Sequence, residues 1–192
     1  AFVCGVLLVL KRNVPRALEV VTAVLGVGVS LYTGVLLSTA PAFPLWNLAV
    51  LPVAFVVSAA YTGYAAYALA ARFTLPSGTA LPAWTGKVAL VLPVLEVVAL
   101  VALLVVVSAT TGSAAPYAIQ SVANLLTGSN AVVFWGGVVA VGLAAPFALA
   151  LVRTRKGEAA PSWFGVAEAV CILTGGFAFR YAVIMAAVPM FA

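Results

Sequence analysis

Runs of roughly 20 apolar residues, the length an α-helix needs to cross a bilayer, recur along this sequence. Between them lie short stretches that gather the few charges. A segment in lipid must satisfy its own backbone hydrogen bonds, so the pattern predicts an all-α, polytopic transmembrane bundle. Composition agrees. The 192 residues are 66% hydrophobic and 7% charged, where a soluble domain carries about a quarter charged. Net charge is +5, but the basic residues cluster in loops. Membrane topology explains that clustering without a nucleic-acid partner.

Taken in order, Ala1 to Leu10 is apolar but too short to span. It reads as the end of a helix whose beginning is missing; a cleaved signal peptide is the alternative, though no cleavage signature is visible. Full spans are expected over about Ala17–Ala40, Trp46–Arg72, Val88–Thr110, Ala131–Val152 and Trp163–Pro189. Pro41 and Pro44 stop the first, and Pro52 is expected to bend the second. Between the third and fourth, Ala118, Ile119, Val122, Leu125 and Leu126 fall at helical spacing, with Gln120 and Asn124 off the stripe. They predict a short amphipathic helix in the interface. The chain thus reads as one integral-membrane domain, 1–192, with about five full spans plus the end of one more.

Lys11, Arg12, Arg16, Arg72, Lys87, Arg153, Arg155 and Lys156 all fall in alternate loops or beside them. The other loops hold no Lys or Arg. The positive-inside rule puts the basic set in the cytoplasm. Trp46, Trp84, Trp135 and Trp163 lie near expected helix ends, as an aromatic belt requires.

Polar groups inside the spans are costly in lipid and point to function. Tyr32, Thr33, Ser38, Ser58 and Thr62 each need a partner, which a carbonyl one turn back, another helix or a ligand can supply. The ionisable groups are Glu19, Glu96, Glu168 and Arg180. At the rise of an α-helix, Glu19 and Glu168 lie within roughly 5 Å of the basic ends, Glu96 roughly 12 Å in and Arg180 roughly 22 Å in, with Tyr32 about as deep. Tyr61, Tyr64 and Tyr67 step along the second full span and are read as core packing. There is no histidine, so the usual axial ligand of a membrane b-type haem is absent. Cys4 and Cys171 sit far apart in apolar runs and read as small buried side chains. No iron–sulfur cysteine motif, phosphate loop or nucleophile–base pair occurs.

Several pieces resemble a known family. They are Tyr32-Thr33-Gly34-x-Leu36-Leu37-Ser38, Pro44-Leu45-Trp46, Leu51-Pro52-x-x-Phe55-x-x-Ser58 with Gly63, Leu95-Glu96, Leu126-Thr127-Gly128 with Phe134-Trp135, Gly142-x-x-x-Pro146, and Leu173-Thr174-Gly175-Gly176-Phe177 with Arg180-Tyr181. In this order they resemble the NrfD/PsrC family of integral-membrane, quinone-binding subunits of polysulfide, nitrite and related reductases. The resemblance implies an eight-helix fold of which this chain supplies part, and a quinone (menaquinone or ubiquinone) as bound substrate. It implies a ferredoxin-like iron–sulfur partner subunit, with a molybdopterin or multihaem catalytic subunit beyond it. No haem or cluster is expected in this chain. The implied setting is a bacterial cytoplasmic membrane.

Under that resemblance, Tyr32, Gly34, Arg180 and Asn124 are the candidate quinone-binding residues. Glu96, Ser58, Glu168 and Glu19 form a candidate proton path, because a quinone oxygen that becomes a hydroxyl must take a proton. Other readings stay open. Arg180 can pair structurally with Glu96 or snorkel outward. Glu96 can be neutral and hydrogen-bonded. A transporter or a ligand-free anchor fits the same composition.

Overall fold

The computed structural model describes residues 16–46, 49–74, 82, 84–156 and 163–190. The expected helix end at Ala1–Leu10, Cys4, most of the loop Lys11–Arg16, the turn Pro76-Ser77-Gly78 and the pair Gly157-Glu158 lie outside the described residues, as does the side chain of Glu19.

α1 spans Arg16–Ser38. Its last turn tightens, with the Ala40 N–H donating to the Leu37 carbonyl at 3.1 Å, and Pro41 prevents continuation. α2 spans Val50–Thr74, starting later than Trp46. Trp46 stays in the turn because its indole Nε1 donates to the Val183 carbonyl at 3.0 Å. Pro52 lies in the first turn of α2, where its missing N–H costs little. There it seats α1: a Cβ on Gly34 would lie 2.5 Å from Pro52 Cα.

α3 spans Trp84–Ser108, with Pro93 inside. It begins ahead of the expected Val88, since the Thr85 N–H and Oγ1 both donate to the Pro82 carbonyl, at 2.9 and 2.7 Å. The earlier start sets Glu96 about 18 Å along the helix rather than 12. A 3-10 turn, Gly112–Ala114, leads into α4, Ala115–Leu126. Gly112 takes φ +78°, the left-handed region that favours glycine.

α4 is the expected short amphipathic helix, but its inner face differs. Ala118, Ser121 and Leu125 are buried while Ile119 is 57% exposed. A polar residue displaces the expected apolar one because Ser121 Oγ accepts the Val188 N–H at 3.0 Å and donates to the Tyr117 carbonyl at 2.8 Å.

α5 begins as a π-helix over Val133–Ala144 and continues as an α-helix over Ala145–Lys156. Charged residues of its last turn were expected to be loop; instead the helix carries them. Long π-helical runs are rare, and no composition signal marked this one. α6 spans Trp163–Ala186.

α2 sits at the centre, packed on α1, α3 and α6, and α6 also meets α4 and α5. Tyr61, Leu51, Leu103, Ile172 and Val183 are among the most buried side chains. Tyr67 departs from the core reading: it is 42% exposed and stacks on Trp84 at 5.7 Å between centroids.

The basic ends of α2, α3, α5 and α6 come together. Tyr67 meets Trp84, Gly86 neighbours Thr154 and Gly165 neighbours Arg153. At the opposite end, Trp46 holds Val183 and the Met190 N–H donates to the Ala42 carbonyl at 2.8 Å. Among the described residues, five helices are long and apolar enough to cross a membrane, and all regular structure is helical. The chain is an integral membrane protein.

In lipid, apolar contact alone does not drive helices together; close approach of small residues does. α5 and α6 cross on glycine. A Cβ on Gly175 would run into the Gly142 backbone, and one on Gly137 would lie 2.8 Å from the Ala178 Cβ. Gly175→Leu is therefore expected to part the two helices and lower the melting temperature in detergent, at a cost of about 3 kcal/mol or more. Gly26, with nothing within 4 Å of a Cβ, should accept Leu with little change. Equal melting of the two variants would contradict this packing.

Arg153 of α5 also ties to the buried Glu168 of α6, at 3.2 Å. Arg153→Ala should destabilise by about 3–5 kcal/mol, the cost of a buried charge left unpaired. The double variant Arg153→Ala/Glu168→Gln should melt above the single, by the same reasoning, in the same thermal assay.

Candidate functional site

Hydrocarbon offers no water, so each hydroxyl in a span must be satisfied internally. Most of those described bond back to their own helix. Thr22 donates to the Leu18 carbonyl, Ser30 to Gly26, Thr33 to Val29, Ser38 to Val35, Thr62 to Ser58, Ser108 to Leu104 and Thr174 to Val170, all at 2.6–3.1 Å. The hydroxyls of the Tyr32-Thr33 stretch therefore include some that need no ligand.

Three described hydroxyls are buried and depart from this pattern without a bond across helices. Ser58 Oγ, Tyr61 Oη and Thr110 Oγ1 are buried without a hydrogen bond. Thr110 lies just past the end of α3. Ser58 and Tyr61 lie inside α2, on the face that carries Tyr64, since residues three apart on a helix are neighbours. Ser58 is 0% and Tyr61 2% exposed.

At the basic end of this face is a three-way contact. Arg153 Nη2 lies 3.2 Å from Glu168 Oε2 and donates to Tyr64 Oη at 3.2 Å. Tyr64 Oη donates to Glu168 Oε1 at 3.4 Å. Glu168 is 2% exposed, so its carboxylate is buried among the helices. The guanidinium and the phenol together repay part of its desolvation.

Deeper in, Glu96 of α3 is buried and neighbours Ser58 of α2, within electrostatic reach of Arg180. Arg180 is half-buried. Its Nη1 donates to the Gly176 carbonyl at 2.9 Å, and its guanidinium carbon sits 6.0 Å from the centroid of the Phe55 ring. It curls back along α6 toward the bundle centre, the direction that helical side chains favour. Guanidinium carries five donors in a planar fork, so the bond to Gly176 leaves others for a carbonyl or carboxylate oxygen.

Ser58 thus adjoins Glu96, Arg180 lies within electrostatic reach of it, and Glu168 sits nearer the basic end of the bundle interior. Tyr32 is not part of this group: it is 64% exposed on α1. Gly34 is buried against Pro52, so close helix approach accounts for its lack of a side chain. Asn124 is half-buried on α4, where its backbone carbonyl accepts the Asn130 N–H at 3.1 Å. Glu19 lies on the first turn of α1.

An apolar groove of about 300 Å³ runs between α3 and α5, lined by Pro93, Val94, Val97, Val139, Leu143, Ala144 and Phe147. None of these is a sequence-predicted site residue. The structure adds three polar residues to the site: Tyr61, Tyr64 and Arg153. The spacing of Ser58, Tyr61 and Tyr64 was visible in the sequence, but which face of α2 turns inward was not.

The sequence profile described as polysulphide reductase, NrfD, matches residues 2–192. The C subunit of the polysulfide reductase of Wolinella succinogenes is 34% identical over 180 residues, covering 91% of this chain and 54% of that protein. The protein described here spans about half the length of this curated relative. No solved structure matches it significantly. A profile match across nearly every residue, on a bundle of membrane-length helices with an inward polar face, leads to one conclusion: the chain belongs to the NrfD family of polysulphide reductase.

Proposed function

We propose that this protein is the quinone- and quinol-binding membrane subunit of a respiratory oxidoreductase complex in a bacterial cytoplasmic membrane, its basic loops facing the cytoplasm. It exchanges electrons with a ferredoxin-like iron–sulfur subunit, beyond which lies a molybdopterin or multihaem catalytic subunit. Membership of the NrfD family supports a role within a redox complex. The matched relative is by its name one component of a reductase.

The observation that carries the reading is the grouping of Arg180, Glu96 and Ser58 deep in the bundle. A quinone takes up electrons and protons together as its carbonyls become hydroxyls. Arg180 holds a fixed positive fork that orients and polarises a carbonyl oxygen. Glu96, within electrostatic reach of this arginine, is the group that exchanges a proton there. Ser58 sets a buried hydroxyl beside the Glu96 carboxyl. Tyr32, Gly34 and Asn124 are the other quinone-binding residues of this reading, set on α1 and α4 rather than beside Arg180. Tyr32 acts from the exposed flank of α1, separate from the Arg180 group.

The test is menadione affinity of the purified complex. A charge-assisted hydrogen bond is worth about 1.5–3 kcal/mol, so Arg180→Met should weaken binding by about tenfold or more, with Arg180→Lys intermediate. Tyr32→Phe should weaken it by a smaller factor. Unchanged affinity in both Arg180→Met and Tyr32→Phe would contradict the assignment.

A further inference from the structure

The hydroxyl accounting singles out Tyr61. Its phenol is among the largest fully buried side chains, and its Oη makes no hydrogen bond. A buried hydroxyl left without a partner costs about 1–3 kcal/mol. A purely structural core position would hold Phe at no such cost. Tyr61 also stands between the two polar centres. Tyr64, three residues toward the basic end, touches Glu168. Ser58, three residues the other way, neighbours Glu96. Ser58 and Tyr64 are about 9 Å apart along the α2 axis, and Tyr61 is midway. The ionisable groups acting on it from the packed helices are Glu96 of α3, Glu168 and Cys171 of α6, and Tyr64 on its own helix.

We propose that the Tyr61 hydroxyl is the link that passes protons between Glu168 at the basic end and Glu96 beside Arg180. This deepens the quinone reading above and rests on it. When Glu168 is protonated and Glu96 is a carboxylate, the Tyr61 oxygen takes a proton from the Glu168 side as its own O–H proton leaves toward Glu96. Tyr61 Oη bonds directly to neither carboxylate, so in this proposal a water bridges each gap. Glu168 returns to carboxylate, Glu96 becomes a carboxylic acid, and Tyr61 ends as the neutral phenol it began as. No oxidant or reductant is consumed. Arg153 and Tyr64 position Glu168 at the entrance and do not carry the proton themselves.

The experiment compares wild type and Tyr61→Phe in the purified complex, with menadiol as electron donor and a dye as acceptor. Tyr61→Phe keeps the ring and so the packing. It is expected to leave menadiol affinity unchanged and to slow turnover by about a hundredfold or more, the scale of a lost proton-transfer group. The solvent deuterium isotope effect should rise, and acetic acid, a small permeant proton carrier, should restore much of the rate. Wild-type turnover in Tyr61→Phe would overturn the relay alone. A slowed variant with no rescue and no change in isotope effect would also overturn it, in favour of packing. Absence of menadiol binding to the wild-type complex would instead overturn the quinone reading, and the relay with it.

Discussion

Inside a bilayer a polar group has no water to fall back on, and this constraint shapes the whole molecule. Backbone groups are satisfied by making every span a helix. Side-chain hydroxyls are satisfied by bending them back onto their own helix, as Thr33, Thr62 and Thr174 do. Charges are satisfied by pairing across helices, as Arg153 and Glu168 do. Ser58 and Tyr61 depart from these solutions, and both lie on the inward face of the central helix.

The helices that present this face are held by close contacts rather than by bulky ones. Gly34 lets α1 settle on Pro52, and Gly142 meets Gly175 where α5 crosses α6. The two ends are then fixed by specific bonds. Trp46 to Val183 and Val188 to Ser121 hold one end, and Arg153 to Tyr64 and Glu168 the other. The mid-bundle groups Glu96, Ser58 and Arg180 lie between these anchors. A site needs its side chains locked by their surroundings, and this frame supplies that.

Much of the architecture was legible in the sequence, because span length and loop charge are strong signals in a membrane protein. The five spans, the short helix before α5 and the stop at Pro41 follow from apolar length and proline chemistry. Helix ends were less legible. α3 gained a turn from Pro82 and Thr85, and Trp46 was drawn out of α2 by a carbonyl far away in sequence. The inner face of α4 was misread at Ile119 because burial of Ser121 depends on the Val188 N–H. The π-helical run has no compositional mark. In the site, Glu96, Arg180 and Glu168 stood out as charges among apolar residues. Tyr61 and Tyr64 did not, since a tyrosine in an apolar helix packs as readily as it bonds. Only the rotation of α2 about its axis turned them toward the carboxylates.

The central claim is that the inward polar face serves a lipid-soluble redox carrier. An experimental structure of the intact complex with menaquinone bound tests it most directly. The account predicts the headgroup within hydrogen-bonding distance of Arg180, with Ser58 and Glu96 behind it and Tyr61 connecting to Glu168. A headgroup bound elsewhere, with Arg180 and Glu96 closed off from it by packed side chains, would contradict it.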